Sequence, residues 1–195
     1  MGRTRSGVLS TFKKGGRGAE IGVFKGRFSI DILKQRRPET LYLIDPWLNI
    51  DDDSLGESWY GSDSKHDMNA HYEGITSRFA KQIEAGQVVV LRGTAAEMMP
   101  QIPDESLDYV YIDGDHRYEG VSVDLALAYT KVKPGGVIAV DDHVLKRWWK
   151  DGVVRAINEF LGRHADDLSI IGCEEGQVIV RRHPAEVRQT LIAAE

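Results

Sequence analysis

The chain alternates short apolar runs with segments whose apolar residues recur every three or four positions. Residues 19–23 form a short buried run, and after a glycine-bearing turn residues 28–35 place Phe28, Ile32 and Leu33 at helical spacing. Residues 40–44 read as a second strand, stopped by Asp45-Pro46. Helical spacing returns over 70–84 and ends near Gly86; the β-branched run 88–92 is a third strand, with a short helix over 95–99. Residues 107–112 form a fourth strand ending at Asp113, and 118–131 a helix with Val121, Leu125 and Ala128 on one face. Pro134-Gly135-Gly136 is expected to turn into a fifth strand, 137–140, which stops at Asp141-Asp142. A helix follows over 152–164, and the runs 168–172 and 177–182 are close enough to pair as a hairpin across 174–176.

Strands alternating with helices and closed by a hairpin argue for an α/β domain: a mostly parallel sheet with one antiparallel strand near an edge. In such sheets ligands bind outside the carboxyl ends of the strands, where the strand order reverses. Residues 23–26, Asp45, Gly93-Thr94, Asp113 and Asp141-Asp142 all follow strand ends, so they are expected on one rim. Residues 47–69 are polar, with Asp51-Asp52-Asp53 and Trp59-Tyr60, and read as a long loop of the kind that is functional or mobile. The expected organisation is a basic arm over 1–18 with a short helix around 8–13, one domain over 19–182, and a short helix or frayed tail over 183–195. The arm's basic residues are expected in solvent.

Composition narrows the class. The chain has 195 residues, 42% of them hydrophobic, and 25 basic against 30 acidic side chains give a net charge of −5. One soluble domain is expected at that length. Phosphate backbones call for a basic face, so a nucleic-acid partner is not expected. No apolar stretch approaches a membrane span and the N-terminus lacks the apolar run of a signal peptide, so the expected address is cytoplasmic, without a membrane partner. The single cysteine, Cys173, rules out an internal disulfide and a thiolate zinc cluster, and at an apolar strand end it is expected to be buried.

Two constellations carry candidate chemistry. The first is Glu20-Ile21-Gly22-Val23-Phe24-Lys25-Gly26, between strand one and its helix. Its glycines permit close backbone approach to a ligand, and the helix start offers free N–H donors. The spacing is Gly-x-x-x-Gly, not the Gly-x-Gly-x-x-Gly that cradles a pyrophosphate, and alone it fits a plain strand-to-helix turn equally well. Asp45, placed where an acidic residue takes a ribose diol, tilts the reading toward a nucleoside-bearing cofactor. The second constellation is Asp113-Gly114-Asp115-His116 with Asp141-Asp142. If their strands are neighbours, Asp113, Asp141 and Asp142 gather at one point, where mutual repulsion calls for a cation. Oxygen ligands favour a hard ion such as Mg²⁺, Mn²⁺ or Ca²⁺. The plainer alternative is a helix cap with solvated neighbours.

These residues, with Tyr118-Glu119 and Lys133-Pro134-Gly135-Gly136, resemble class I S-adenosylmethionine-dependent methyltransferases of the small metal-dependent O-methyltransferase type. The likeness runs over about 19–182, is nearest to macrocin and mycinamicin sugar O-methyltransferases, and reaches more distantly to catechol O-methyltransferase. It implies a Rossmann-like, seven-stranded, mostly parallel sheet. It implies that S-adenosylmethionine is bound by Glu20, Gly22, Val23, Phe24 and Gly26 at its methionine end, by Asp45 at the ribose, by Gly93, Thr94 and Ala95 at the adenine, and by Asp113. It implies Mg²⁺ or another hard divalent ion on Asp113, Asp141 and Asp142, with His116 as general base and Asp115 as its rival. A histidine with an ordinary pKa of about 6.5 can accept a hydroxyl proton at neutral pH.

The expected reaction is methyl transfer to a hydroxyl of a small diol-bearing acceptor: a sugar, glycoside or phenol. A nicotinamide-dependent oxidoreductase and a non-catalytic S-adenosylmethionine-binding protein are the alternatives. The resemblance also implies a cover over the site, supplied here by the 47–69 loop or by a second subunit of a homo-oligomer. Tyr60, His66 and His71 read as solvated loop residues or substrate contacts, and Trp47 as core or cofactor packing. Trp148-Trp149 reads as a pocket wall or a buried anchor, His143 as hydrogen-bonded support or a catalytic group, and His164 and His183 as surface residues.

Overall fold

A computed structural model describes residues 5–184, except residues 56, 146 and 175 and the side chain of Ser6. The elements run α1 (Ser6–Thr11), β1 (Arg17–Ile21), α2 (Arg27–Arg36), β2 (Thr40–Asp45), α3 (Met68–Arg78), α4 (Ala80–Glu84) and β3 (Val88–Arg92). They continue α5 (Ala95–Met98), β4 (Leu107–Ile112), α6 (Tyr118–Lys131), β5 (Val132–Val140), α7 (Gly152–Arg163), β6 (Leu168–Glu174) and β7 (Gln177–Arg182). The expected 183–195 tail lies almost wholly outside the described residues.

Seven strands form one sheet in the order β3-β2-β1-β4-β5-β7-β6. The first five are parallel, and β7 runs antiparallel to both β5 and β6. The chain starts at β1, winds outward to β3, then crosses to β4, so the order reverses between β1 and β4. The carboxyl ends of these two strands flank the crevice where this architecture binds ligands.

Strand alternation explains the two layers of helices. Along β4, Val110 and Ile112 pack with Val121, Leu125, Val153, Ile157 and Phe160 of α6 and α7. Tyr109 and Tyr111 point to the opposite face, against Val8 of α1, Phe12 just after it, and Phe28 and Ile32 of α2. Because side chains alternate with a period of two, a strand apolar at every position needs cover on both faces.

Four expectations change. The 70–84 helical segment is two helices, α3 and α4, divided at Phe79, whose ring is buried in the core. The turn expected at Pro134-Gly135-Gly136 lies inside β5, as an irregularity: Leu107 pairs with Val132 and Tyr109 with Val137. Gly135, with φ of +82°, makes that detour. The N-terminal arm is docked: Val8, Leu9 and Phe12 are buried, and the Phe12 ring stacks on Tyr109 at 4.2 Å. Cys173 is exposed, because β6 is an edge strand on which only Leu168 is buried.

Candidate active site

The glycine turn after β1 is fixed by close packing against the neighbouring strand tip. Gly22 has φ of +84°, and a Cβ there would lie 1.9 Å from the carbonyl oxygen of Asp113. Only glycine fits this conformation and approach. The next two amides, of Val23 and Phe24, each donate to Asp45 Oδ2 at 2.9 Å. Tyr60 Oη donates to the same oxygen at 2.6 Å, and the Trp47 amide donates to Oδ1 at 2.7 Å. Asp45 is thus a buried carboxylate, 1% exposed, that ties the glycine turn, the end of β2 and the long loop together. Burial raises its pKa, and the four donors oppose that rise. The ribose contact implied for Asp45 requires a ligand hydroxyl to displace or share one of these donors.

Glu20, at the core end of the turn, accepts from Ser29 Oγ at 2.6 Å. Complete burial pushes its carboxyl up to about 8 against the pull of Ser29 and Arg5. Gly93, Thr94 and Ala95 lie beside this turn. The Gly93 amide donates to the Asp45 carbonyl at 2.9 Å, and Thr94 caps α5 through a capping box with Glu97.

The second constellation sits at the tips of β4 and β5. His116 Nε2 stands 3.5 Å from Asp113 Oδ1 and 3.4 Å from Asp142 Oδ2, a buried atom without a well-formed hydrogen bond. Its ring stacks on Trp149 at 4.6 Å and meets Trp148 edge-on at 6.3 Å. Burial pulls the imidazole pKa down, but Asp113 and Asp142 outweigh it and the net direction is up. Asp113 is itself raised by burial, with His116 and Arg5 opposing. Asp142 has φ of +57°, a left-handed conformation shared by Phe24 at +50° and Trp47 at +41° on the same rim. Non-glycine residues held there mark places where the surrounding structure over-determines the backbone.

Ligand-capable atoms of Asp113, His116 and Asp142 all lie within 4.8 Å of one another, a group among the described residues that could hold a metal ion. Asp141, the third expected metal ligand, takes another direction. Its Oδ2 accepts from Arg5 Nη2 at 2.6 Å and its Oδ1 from Gln177 Nε2 at 3.3 Å. The same Arg5 nitrogen donates to Asp113 Oδ2 at 2.7 Å. The arm residue expected in solvent therefore reaches into the acidic cluster.

Asp115 is committed elsewhere. Arg117 Nη2 donates to its Oδ2 at 2.7 Å and Nε to both oxygens at 3.0 Å, while Arg117 Nη1 reaches Asp52 at 2.7 Å and Ser54 at 2.5 Å. The long loop is thereby strapped to the tip of β4 at one point and, through Tyr60, to Asp45 at another. Aromatic groups of the loop and of α3 close over the glycine turn: the Phe24 ring lies 4.7 Å from Trp59 and 4.9 Å from both His66 and, on α3, His71. Trp47 is fully buried and its Nε1 donates to the Phe24 carbonyl.

A methyltransferase-domain family matches residues 19–143. The chain belongs to this methyltransferase family. With the sheet order above, that makes it a class I S-adenosylmethionine-dependent methyltransferase and removes the nicotinamide alternative. The methyltransferase is 25% identical over 166 residues to protein R132 of Acanthamoeba polyphaga mimivirus, a match covering 79% of this chain and 66% of that protein. The chain thus spans just under two thirds of the length of that curated relative. Its fold is similar to that of the O-methyltransferase TomG of Streptomyces achromogenes, solved with S-adenosylmethionine: 19% identity, 90% of this chain and 77% of that one, TM-score 0.59. It is similar to the O-methyltransferase NovP at 23% identity, 86% and 72% coverage and TM-score 0.61. It is also similar to the tRNA methyltransferase TrmK of B. subtilis, at 13% identity, 97% and 68% coverage and TM-score 0.59. At these identities the likeness carries the fold and leaves the acceptor open.

Sequence reasoning missed the two arginines of the methyltransferase that organise the rim. Arg117 was readable in principle, since a base directly after Asp115-His116 can fold back on Asp115. Arg5 was not, because its partners lie 108 and 136 positions away. No helix among the described residues is long and apolar enough to cross a membrane.

Proposed function

We propose that the protein is a divalent-metal-assisted O-methyltransferase acting on a hydroxyl of a small diol-bearing acceptor, a sugar, glycoside or phenol. The observation that carries this reading is the grouping of Asp113 Oδ1, His116 Nε2 and Asp142 Oδ2 beside the glycine turn. The two carboxylates of that group suit a hard ion such as Mg²⁺ or Mn²⁺. The turn fits the cofactor's amino-acid end, because Gly22 leaves the backbone bare there and Glu20 stands at its core end.

When bound, S-adenosylmethionine supplies a methyl group on a sulfonium sulfur, and the ion supplies positive charge that eases loss of the acceptor's proton. The protein's own part is orientation and proton transfer. Asp113 and Asp142 are the carboxylates that would hold the ion. The acceptor hydroxyl would be held facing the bound cofactor's methyl group, and its proton would pass to His116 Nε2. The two carboxylates beside that nitrogen stabilise the imidazolium. Asp115, held by Arg117, is not free for this role. Trp148 and Trp149 fix the imidazole plane, and the 47–67 segment shields the turn from water.

The test is a mass-spectrometric screen of sugars and catechols with S-adenosylmethionine, with and without Mg²⁺ or Mn²⁺. His116→Ala should cut turnover roughly 100-fold or more and leave S-adenosylhomocysteine affinity by calorimetry unchanged. A second reading, His116 as third metal ligand, follows from the same 4.8 Å grouping and predicts that His116→Ala also loses Mn²⁺. Cofactor binding with no product across the panel would instead indicate a binding protein.

A further inference from the structure

Arg5 immediately precedes α1, and α1 is anchored by Val8, Leu9 and Phe12 in the core. The guanidinium lies over the rings of Phe28, 5.0 Å away, and Tyr111, 5.3 Å away. Two aromatic faces and two carboxylates therefore fix one cation. Asp141, one of those carboxylates, is 3% exposed, and a charge so deeply buried needs a positive partner. An arginine keeps its charge at every accessible pH, so the partner is permanent. The arrangement also divides Asp113: Oδ2 faces Arg5, and Oδ1 faces His116.

We infer that Arg5 is the resident cation of the Asp113–Asp141 pair, and that it withholds Asp141 from any divalent ion and confines the ion to the Asp113, His116 and Asp142 side of the cluster. This rests on the metal-assisted reading above and sharpens it by naming the residue that decides which carboxylates meet the ion. Arg5 is a positioning residue: it touches carboxylates, not reacting atoms. Its removal takes one positive charge away from Asp113 and Asp141, and a hard cation should then settle between them with greater affinity.

The experiment is Mn²⁺ titration followed by electron paramagnetic resonance of the free ion, on protein without cofactor, with circular dichroism melting as the folding control. In the wild type, Asp142→Asn should lose Mn²⁺, whereas Asp141→Asn should keep its affinity. Arg5→Ala should bind Mn²⁺ about tenfold tighter or more, and the gain should vanish in Arg5→Ala/Asp141→Asn. Arg5→Lys, retaining the charge, should stay near the wild type. Loss of Mn²⁺ in Asp141→Asn equal to that in Asp142→Asn overturns the inference, and so does an Arg5→Ala protein that binds no tighter. Should Asp141→Asn fail to fold, the Arg5→Ala and Arg5→Lys comparison decides alone. A wild type that binds no Mn²⁺ removes the metal-assisted reading. In that case binding gained by Arg5→Ala still upholds the resident-cation role, and no binding in either protein overturns both.

Discussion

Replacing Asp124 by asparagine should stabilise the protein, and increasingly so as pH rises. Asp124 lies on α6 beneath the turn that carries Asp113 and His116: a Cβ on Gly114 would meet its Oδ2 at 3.1 Å. The side chain is 6% exposed. Burial, reinforced by the neighbouring Asp115 charge, pushes its carboxyl from 3.8 up to about 7. In the unfolded chain the group ionises near pH 4, whereas in the folded protein it holds its proton until about 7. Between those values the folded state binds the extra proton, so stability falls by about 1.4 kcal/mol per pH unit and levels off above about 7. The full loss is about 4 kcal/mol. Asparagine keeps the shape and carries no charge to bury. The advantage of Asp124→Asn over the wild type should therefore grow by about 3 kcal/mol between pH 5 and pH 8. Urea denaturation across that range measures it, provided the slope m is unchanged. Glu20, pushed up to about 8, adds its own slope to both proteins and cancels in the difference. Stability curves that stay parallel would show that the Asp124 carboxylate is solvated or paired when ionised, and would refute the reasoning.

Two further predictions concern the rim. Gly22→Ala places a methyl group 1.9 Å from the Asp113 carbonyl at a positive φ, so it should abolish S-adenosylhomocysteine binding by calorimetry and lower the melting temperature; unchanged binding would contradict the described turn. Tyr60→Phe removes one of four donors to buried Asp45, at a cost of about 1–3 kcal/mol, and should speed protease cleavage within residues 48–66 relative to the wild type.

The fold was legible because its signals are local. The strands over Val88–Arg92, Leu107–Ile112 and Gln177–Arg182 and the helix Tyr118–Lys131 have the bounds that their apolar patterns predict. The β5 irregularity was not, since Pro134-Gly135-Gly136 reads as a turn whether or not the flanking residues pair with β4. The exposure of Cys173 depends on β6 being the last strand, a fact of sheet order rather than of sequence pattern. At the site, spacing identified the acidic residues but not the directions of their side chains. Asp141 and Asp142 are adjacent in sequence yet face different partners: one Arg5 and Gln177, the other His116. A partner 136 positions distant leaves no trace in local composition.

The position of the lone thiol offers a practical opening. Cys173 is exposed on the outermost strand at the end of the sheet opposite β3. A maleimide dye would therefore attach at one defined spot, on the hairpin whose Gln177 reaches Asp141. Paired with a fluorescent acceptor analogue, it would turn the molecule into a ruler for watching ligands arrive.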